Sequence, residues 1–260
     1  MSKLNNLFDL EFKRNRRNYF IVILTFCVLL FTKLLTNLTS YNYIVGKILK
    51  RANPNILGRL SFDNLITDGE VTLFIIGIAI CFLYSIVIWA RDFIGKNKSI
   101  YTLYMLPQNK TNIYLSKLLN ILCFVYMYVM SFVATLFMSY IIITPMMEGD
   151  TKNFGFVQAT VDKFFDILPY NFNSFVYNYV VISINIISLL FMIVLFWKYV
   201  NVSKLKHVLL CFLMFIYFVF VIYKIYIPYV FFINLNLFIC LVMTILNIII
   251  GIKFLKKMDL

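Results

Sequence analysis

Charge is scarce in this chain, and histidine is almost absent. Only 13% of its 260 residues are Asp, Glu, Lys or Arg, while 62% are hydrophobic. A soluble domain of this size carries roughly a quarter charged residues. The excess apolar residues fall in runs long enough to cross a bilayer, which takes about 20 residues each. The single histidine, His207, has no H-E-x-x-H around it, and no Asp or Glu lies inside an expected span. Hydrolytic or metal-assisted chemistry would lack its usual groups, so the chain is read as a non-enzyme with no metal site. No G-x-x-x-x-G-K-[ST] phosphate loop occurs either, which excludes ATP binding of the P-loop kind by this chain. The five cysteines, Cys27, Cys81, Cys123, Cys211 and Cys240, all fall in apolar runs. They cannot form an extracellular disulfide framework and act as small apolar residues.

What remains predicts an all-α, polytopic membrane protein, organised as one transmembrane domain over 1–260. Six spans are expected near 19–38, 71–90, 115–144, 175–197, 208–223 and 229–252. The last two would form a tight hairpin across Lys224–Pro228. Alternation over about 10 residues, the mark of a membrane β-barrel, is missing. The first run is too long for the core of a cleaved signal peptide, lacks an A-x-A-like site and follows a charged stretch.

The net charge of +13 is a topology signal. With the N-terminus placed inside, sixteen Lys and Arg fall on inner segments, seven on outer ones, and Lys33 within a span. The positive-inside rule then puts both termini in the cytoplasm. No soluble basic domain exists, so nucleic acid is not an expected partner. Trp89 and Trp197 each end an even-numbered span just before a cation, a position expected at the inner headgroup level.

The N-terminal segment 1–18 reads as an interfacial helix. Leu4, Leu7, Phe8 and Phe12 share one face, with Lys3, Asn6, Asp9 and Lys13 opposite. Its KRNRR end would sit among anionic lipid headgroups. The outer segment FGFVQATVDKFFDIL carries an apolar face of Phe156, Val157, Val161, Phe164, Phe165 and Leu168. It has two readings, a helix on the outer leaflet or a cap over helix ends.

Inside the membrane, Lys33 is a functional candidate by default, although from its depth the long side chain can also snorkel outward. Ser131, Thr135 and Ser139 recur at i,i+4 steps. They form either a helix-packing stripe or the lining of a pathway. The 28 Phe and 18 Tyr would suit an amphipathic or hydrophobic cargo if they line a cavity.

The segment 91–117, RDFIGKNKSIYTLYMLPQNKTNIYLSK, is the most informative. Phe93 and Ile94, then Ile100, Leu103 and Tyr104, provide an apolar face; Lys96, Lys98 and Thr102 remain open to a partner. Pro107 ends the helix by disfavouring helical geometry at Leu106, and Thr111 is an expected N-cap for the next helix. A short helix at the cytoplasmic surface, joined directly to spans two and three, results.

An acidic residue, a Ser or Thr, Leu-x-x-x-Pro, and a Lys ten residues after the proline make a pattern that resembles the ABC-2-type transporter permease family. The matching residues are Asp92, Ser99, Leu103, Pro107 and Lys117. The six-span layout, inner termini and N-terminal interfacial helix are similar too. Lys98 stands where the family often has glycine, and Lys224–Pro228 leaves little room for the re-entrant helices of some relatives. The resemblance implies a permease subunit that pairs with a second permease subunit, as homodimer or heterodimer. It also implies a separate ABC ATPase that binds ATP and Mg and docks on 91–117 as a coupling helix. Residue usage rich in Ile, Asn, Lys, Tyr and Phe suggests the plasma membrane of a low-GC Gram-positive bacterium. The implied cargo is an amphipathic peptide or toxin, such as the phenol-soluble modulins, or a small hydrophobic drug. An immunity or accessory protein that binds cargo without moving it is the competing reading.

Overall fold

The computed structural model describes residues 2–49, 62–94, 109–146, 156–157, 160, 164, 175–199 and 233–257. Among these the regular structure is entirely helical. Helix α1 spans Ser2–Leu49, α2 Asp68–Ile94, α3 Lys110–Ile143, α4 Ser183–Tyr199 and α5 Ile233–Lys257. Short 3₁₀ turns cover Phe62–Leu65 and Thr144–Met146. A π-helix over Phe175–Ile182 leads directly into α4.

Four stretches, Leu4–Tyr43, Asp68–Phe93, Lys110–Met146 and Tyr179–Trp197, are long and apolar enough to cross a membrane. They fall on the first four expected spans. The expected sixth span falls on α5, and the fifth, 208–223, lies outside the described residues with the hairpin at Lys224–Pro228.

Helix α1 departs most from expectation. The interfacial helix and first span are one continuous helix of 48 residues. At 1.5 Å per residue it is ~72 Å long, well beyond the ~40–45 Å of a whole bilayer. No proline interrupts it before Pro54. The buried stripe also differs. Leu7, Glu11, Asn15 and Tyr19 are buried at i,i+4 steps, whereas Leu4, Phe8 and Phe12 are only half-buried and Asn6, Asp9 and Lys13 are exposed. Polar residues inside the stripe hid it from a reading based on apolar spacing.

The chain divides into two compact units. One comprises Met1–Lys13, Phe82–Leu122 and Val176–Leu260; the other comprises Arg14–Cys81 and Cys123–Phe175.

The second unit is held by aromatic packing. Phe74 lies 4.7 Å from Phe132, 6.0 Å from Tyr128 and 6.5 Å from Phe164 between ring centres. Phe26 meets Tyr128 edge-on at 5.6 Å. Such pairs add about 0.5–1.5 kcal/mol each beyond area burial. Gly77 is required here, because a Cβ would stand 2.0 Å from the Tyr128 hydroxyl. The expected apolar face of the segment after Phe156 is corrected in part. Phe156 packs on Phe137 and Tyr140 at 5.3 and 5.8 Å, and Phe164 is fully buried. Thr160 is buried, while Val157 is 60% exposed. The inward spacing is thus 156, 160, 164, with Phe156 half-buried. Val161, Phe165 and Leu168 lie outside the described residues.

Helix α2 begins with a capping box, Thr67-x-x-Glu70. Glu70 Oε2 accepts from the Thr67 amide at 2.7 Å and its hydroxyl at 2.6 Å. Asn37 Nδ2 donates to Glu70 Oε1 and to the Leu65 carbonyl, both at 2.8 Å. Thr67 Oγ1 in turn accepts from the Gly69 amide at 3.4 Å, so amide groups that a helix start leaves open are satisfied from both residues.

In the first unit, α4 packs on α5. Asn185 Nδ2 donates to the Cys240 carbonyl and Asn247 Nδ2 to Asn185 Oδ1, each at 3.3 Å. Buried amides joined across helices satisfy polar groups that lipid cannot. Leu7 and Ile113 share a buried cluster. Tyr114 lies over Gly251, where a Cβ would stand 3.0 Å from its ring.

Candidate functional site

The first unit contains a fully buried ion cluster built from three helices. Asp92 lies in the last turn of α2, Lys117 near the start of α3, and Glu11 in α1. Lys117 Nζ donates to Glu11 Oε1 at 3.0 Å and also to Asp92 Oδ2. Lys117 and Asp92 are 0% exposed and Glu11 2%. Arg91 Nη2 adds a longer contact to Glu11 Oε2 at 3.9 Å from a partly exposed position. Two carboxylates therefore meet two cations, and the local charge balances.

Trp89 completes the enclosure. Its ring lies 4.8 Å from Lys117 Nζ, within cation–π range. Trp89 also stacks on Phe93 at 5.8 Å and meets Phe191 edge-on at 5.5 Å. Tyr114 packs on the same Phe191 at 5.4 Å. A desolvated ammonium between two carboxylates and an indole is strongly held. Its net contribution to stability is small, because desolvating the ions offsets most of their attraction. Removing one partner is different, as it strands a buried charge.

The cluster fixes the ends of the basic segment singled out by sequence. Asp92 and Lys117 flank it, and their bond ties the close of α2 to the start of α3. At that start, Thr111 does not act as the cap. The Asn109 side chain accepts from the Thr111 amide at 3.2 Å and its hydroxyl at 3.1 Å. Asn109 therefore precedes the helix as its N-cap, and the helix begins two residues earlier than expected.

The predicted coupling residues thus separate into groups. Asp92, Phe93 and Lys117 are brought together and buried. Ile94 closes α2. Lys98, Ser99, Ile100, Leu103, Tyr104 and Pro107 lie outside the described residues. Lys117 spends its charge on Asp92 and Glu11, and both it and Asp92 are fully buried, so neither presents a charge at the surface of this unit.

The pathway candidates lie in the second unit. Lys33 Nζ reaches Gly69 at the start of α2, where a glycine Cβ would stand 1.6 Å away. Its ammonium therefore lies beside a polar helix start. Thr135 Oγ1 donates to the Ser131 carbonyl at 2.8 Å, and Ser139 Oγ to the Thr135 carbonyl at 2.7 Å. Ser139 is fully buried. Both hydroxyl protons are spent on their own helix.

Glu11, Arg91 and Trp89 were missed as site residues. The charge count used Arg91 only as an inner-segment cation, and Glu11 fell in the segment expected to be an interfacial helix. Trp89 was expected at the headgroup level but is 0% exposed; Trp197, at 73% exposure, fits an outward position. The available signal was Leu7–Glu11 at i,i+4, which places a carboxylate on a core-facing stripe.

Among the described residues, no group of three or more His, Cys, Asp or Glu side chains could hold a metal ion. No family model, curated protein or solved structure matches this chain.

Proposed function

We propose that this chain is the membrane permease subunit of an ATP-driven exporter of the ABC-2 type. In this reading it spans a bacterial plasma membrane six times with both termini in the cytoplasm. The segment 91–117 receives a separate ATPase subunit, which binds ATP and Mg. A second permease subunit completes the pathway, and the cargo is an amphipathic peptide or a small hydrophobic molecule.

The observation that carries the reading is the clasp at the base of that segment. A lever transmits force only if its ends are fixed to the parts it must move. Asp92 and Lys117 fix its two ends to each other, and Glu11 ties both to α1. A push on the segment would then reach three helices as one body rather than flexing a joint. The spacing of Asp92, Ser99, Leu103, Pro107 and Lys117 supports the same role. ATPase closure would bias a transmembrane dimer between two arrangements, as a ligand biases any two-state protein.

Reconstitution with the candidate ATPase tests the reading. Wild type should stimulate ATP hydrolysis and move peptide across the membrane. Leu103→Asp with Tyr104→Asp should abolish ATPase assembly while the permease still folds. Undiminished assembly and transport in that variant would refute the docking role. Cargo binding with no transport and no ATPase association would instead favour the immunity or accessory reading.

A further inference from the structure

Next to the ion cluster, several buried polar atoms have no protein partner, among them the Tyr114 hydroxyl and those of Ser85, Trp89 and Asn120. Ser85, Trp89 and Asn120 are each 0% exposed. Ser85 Oγ, Trp89 Nε1 and both amide atoms of Asn120 have no hydrogen-bond partner in the protein. Leaving such groups unmade in a dry interior is costly, and buried polar atoms are almost always paired.

Their positions follow one seam. Lys117 bonds to Asp92, and from that pair the described parts of α2 and α3 run back towards Asp68 and on towards Ile143. One turn back along α2 reaches Trp89, and a second reaches Ser85. One turn forward along α3 reaches Asn120. The unsatisfied atoms thus occupy successive turns beside the cluster.

The chemistry of the set selects its ligand. Ser85 O–H, Trp89 N–H and the two Asn120 N–H groups donate; Asn120 Oδ1 and Ser85 Oγ accept. An anion would lie beside two buried carboxylates, Glu11 and Asp92, whose charges Lys117 and Arg91 only balance. A metal cation would find a single amide carbonyl oxygen and no free carboxylate. A small molecule that both donates and accepts is water. We propose that Ser85, Trp89 and Asn120 hold ordered water, forming a hydrated seam that extends from the ion cluster between α2 and α3. Such water would also satisfy Lys117 and Asp92 if the pair separated, giving the clasp a second low-energy arrangement. This inference does not depend on the exporter reading.

Microsecond hydroxyl-radical footprinting of the purified full chain tests it. Radicals form where water is, so a buried Trp89 is oxidised only if water lies beside it. Exposed Trp197 provides the internal reference. Trp89 should be oxidised within about tenfold of Trp197, as expected for a side chain touching ordered water. That rate should fall by about threefold or more in Asn120→Leu, which removes the amide that holds the water. Ser85→Ala should lower it less, and serves as the comparison should Asn120→Leu fail to fold. Slower Trp89 oxidation in the wild type, or a rate unchanged by whichever variant folds, would overturn the proposal.

Discussion

Both units of this protein bury carboxylates, and the two sets are satisfied in different ways. In the second unit, Glu70 accepts from neutral donors, the Thr67 amide and hydroxyl and the Asn37 amide. Most of these bonds are local, and they define where α2 begins. In the first unit, Glu11 and Asp92 share one ammonium drawn from a third helix. Those bonds are long-range in sequence and join α1, α2 and α3. A local cap fixes one helix end, whereas a shared ion fixes helices to one another. It is also the kind of contact that can exchange partners, since its net stabilisation is small.

The comparison predicts a ranking of variants. Lys117→Met should be the most destructive, because it strands two buried carboxylates; the expected loss is about 3–5 kcal/mol. Thermal unfolding in detergent, followed by Trp89 emission in a Trp197→Phe background, measures it. Gly77→Ala should come next, at about 1–3 kcal/mol, since its methyl must displace the Tyr128 ring. Adding Tyr128→Leu removes the clashing ring and should leave the two changes less than additive. Glu70→Ala should cost about 1–2 kcal/mol by the same assay, the scale of a lost capping interaction. Arg91→Ala should cost the least, under about 1 kcal/mol, because its contact to Glu11 is long and its side chain partly solvated. If Glu70→Ala proves as harmful as Lys117→Met, the distinction between cap and clasp fails.

Much of the helical layout was legible in sequence, because apolar runs of about 20 residues have few alternatives in a membrane protein. The Thr67–Glu70 capping box had a signal in the sequence, a Thr-x-x-Glu before an apolar run, but it was not among the expected features. Polar residues on buried faces were not. Glu11 and Asn15 interrupt the inner stripe of α1, so apolar periodicity pointed to Leu4, Phe8 and Phe12 instead. Trp89 illustrates the same limit: a Trp beside a cation at a span end suits a headgroup, yet here its neighbours are Phe93, Tyr114 and Phe191. Asp92 and Lys117 were selected by spacing, but spacing carries no partner information. That they bond to each other, with Glu11 as the third member, depends on how three helices pack.

The central claim is that Asp92 and Lys117 act as one unit that closes the base of segment 91–117. A double-mutant cycle on Asp92→Asn and Lys117→Met, read by unfolding free energy in detergent, tests it most directly. The account predicts strong coupling, about 2–3 kcal/mol, with the double variant far less harmed than the summed singles. Additive losses, with coupling under about 0.5 kcal/mol, would contradict it.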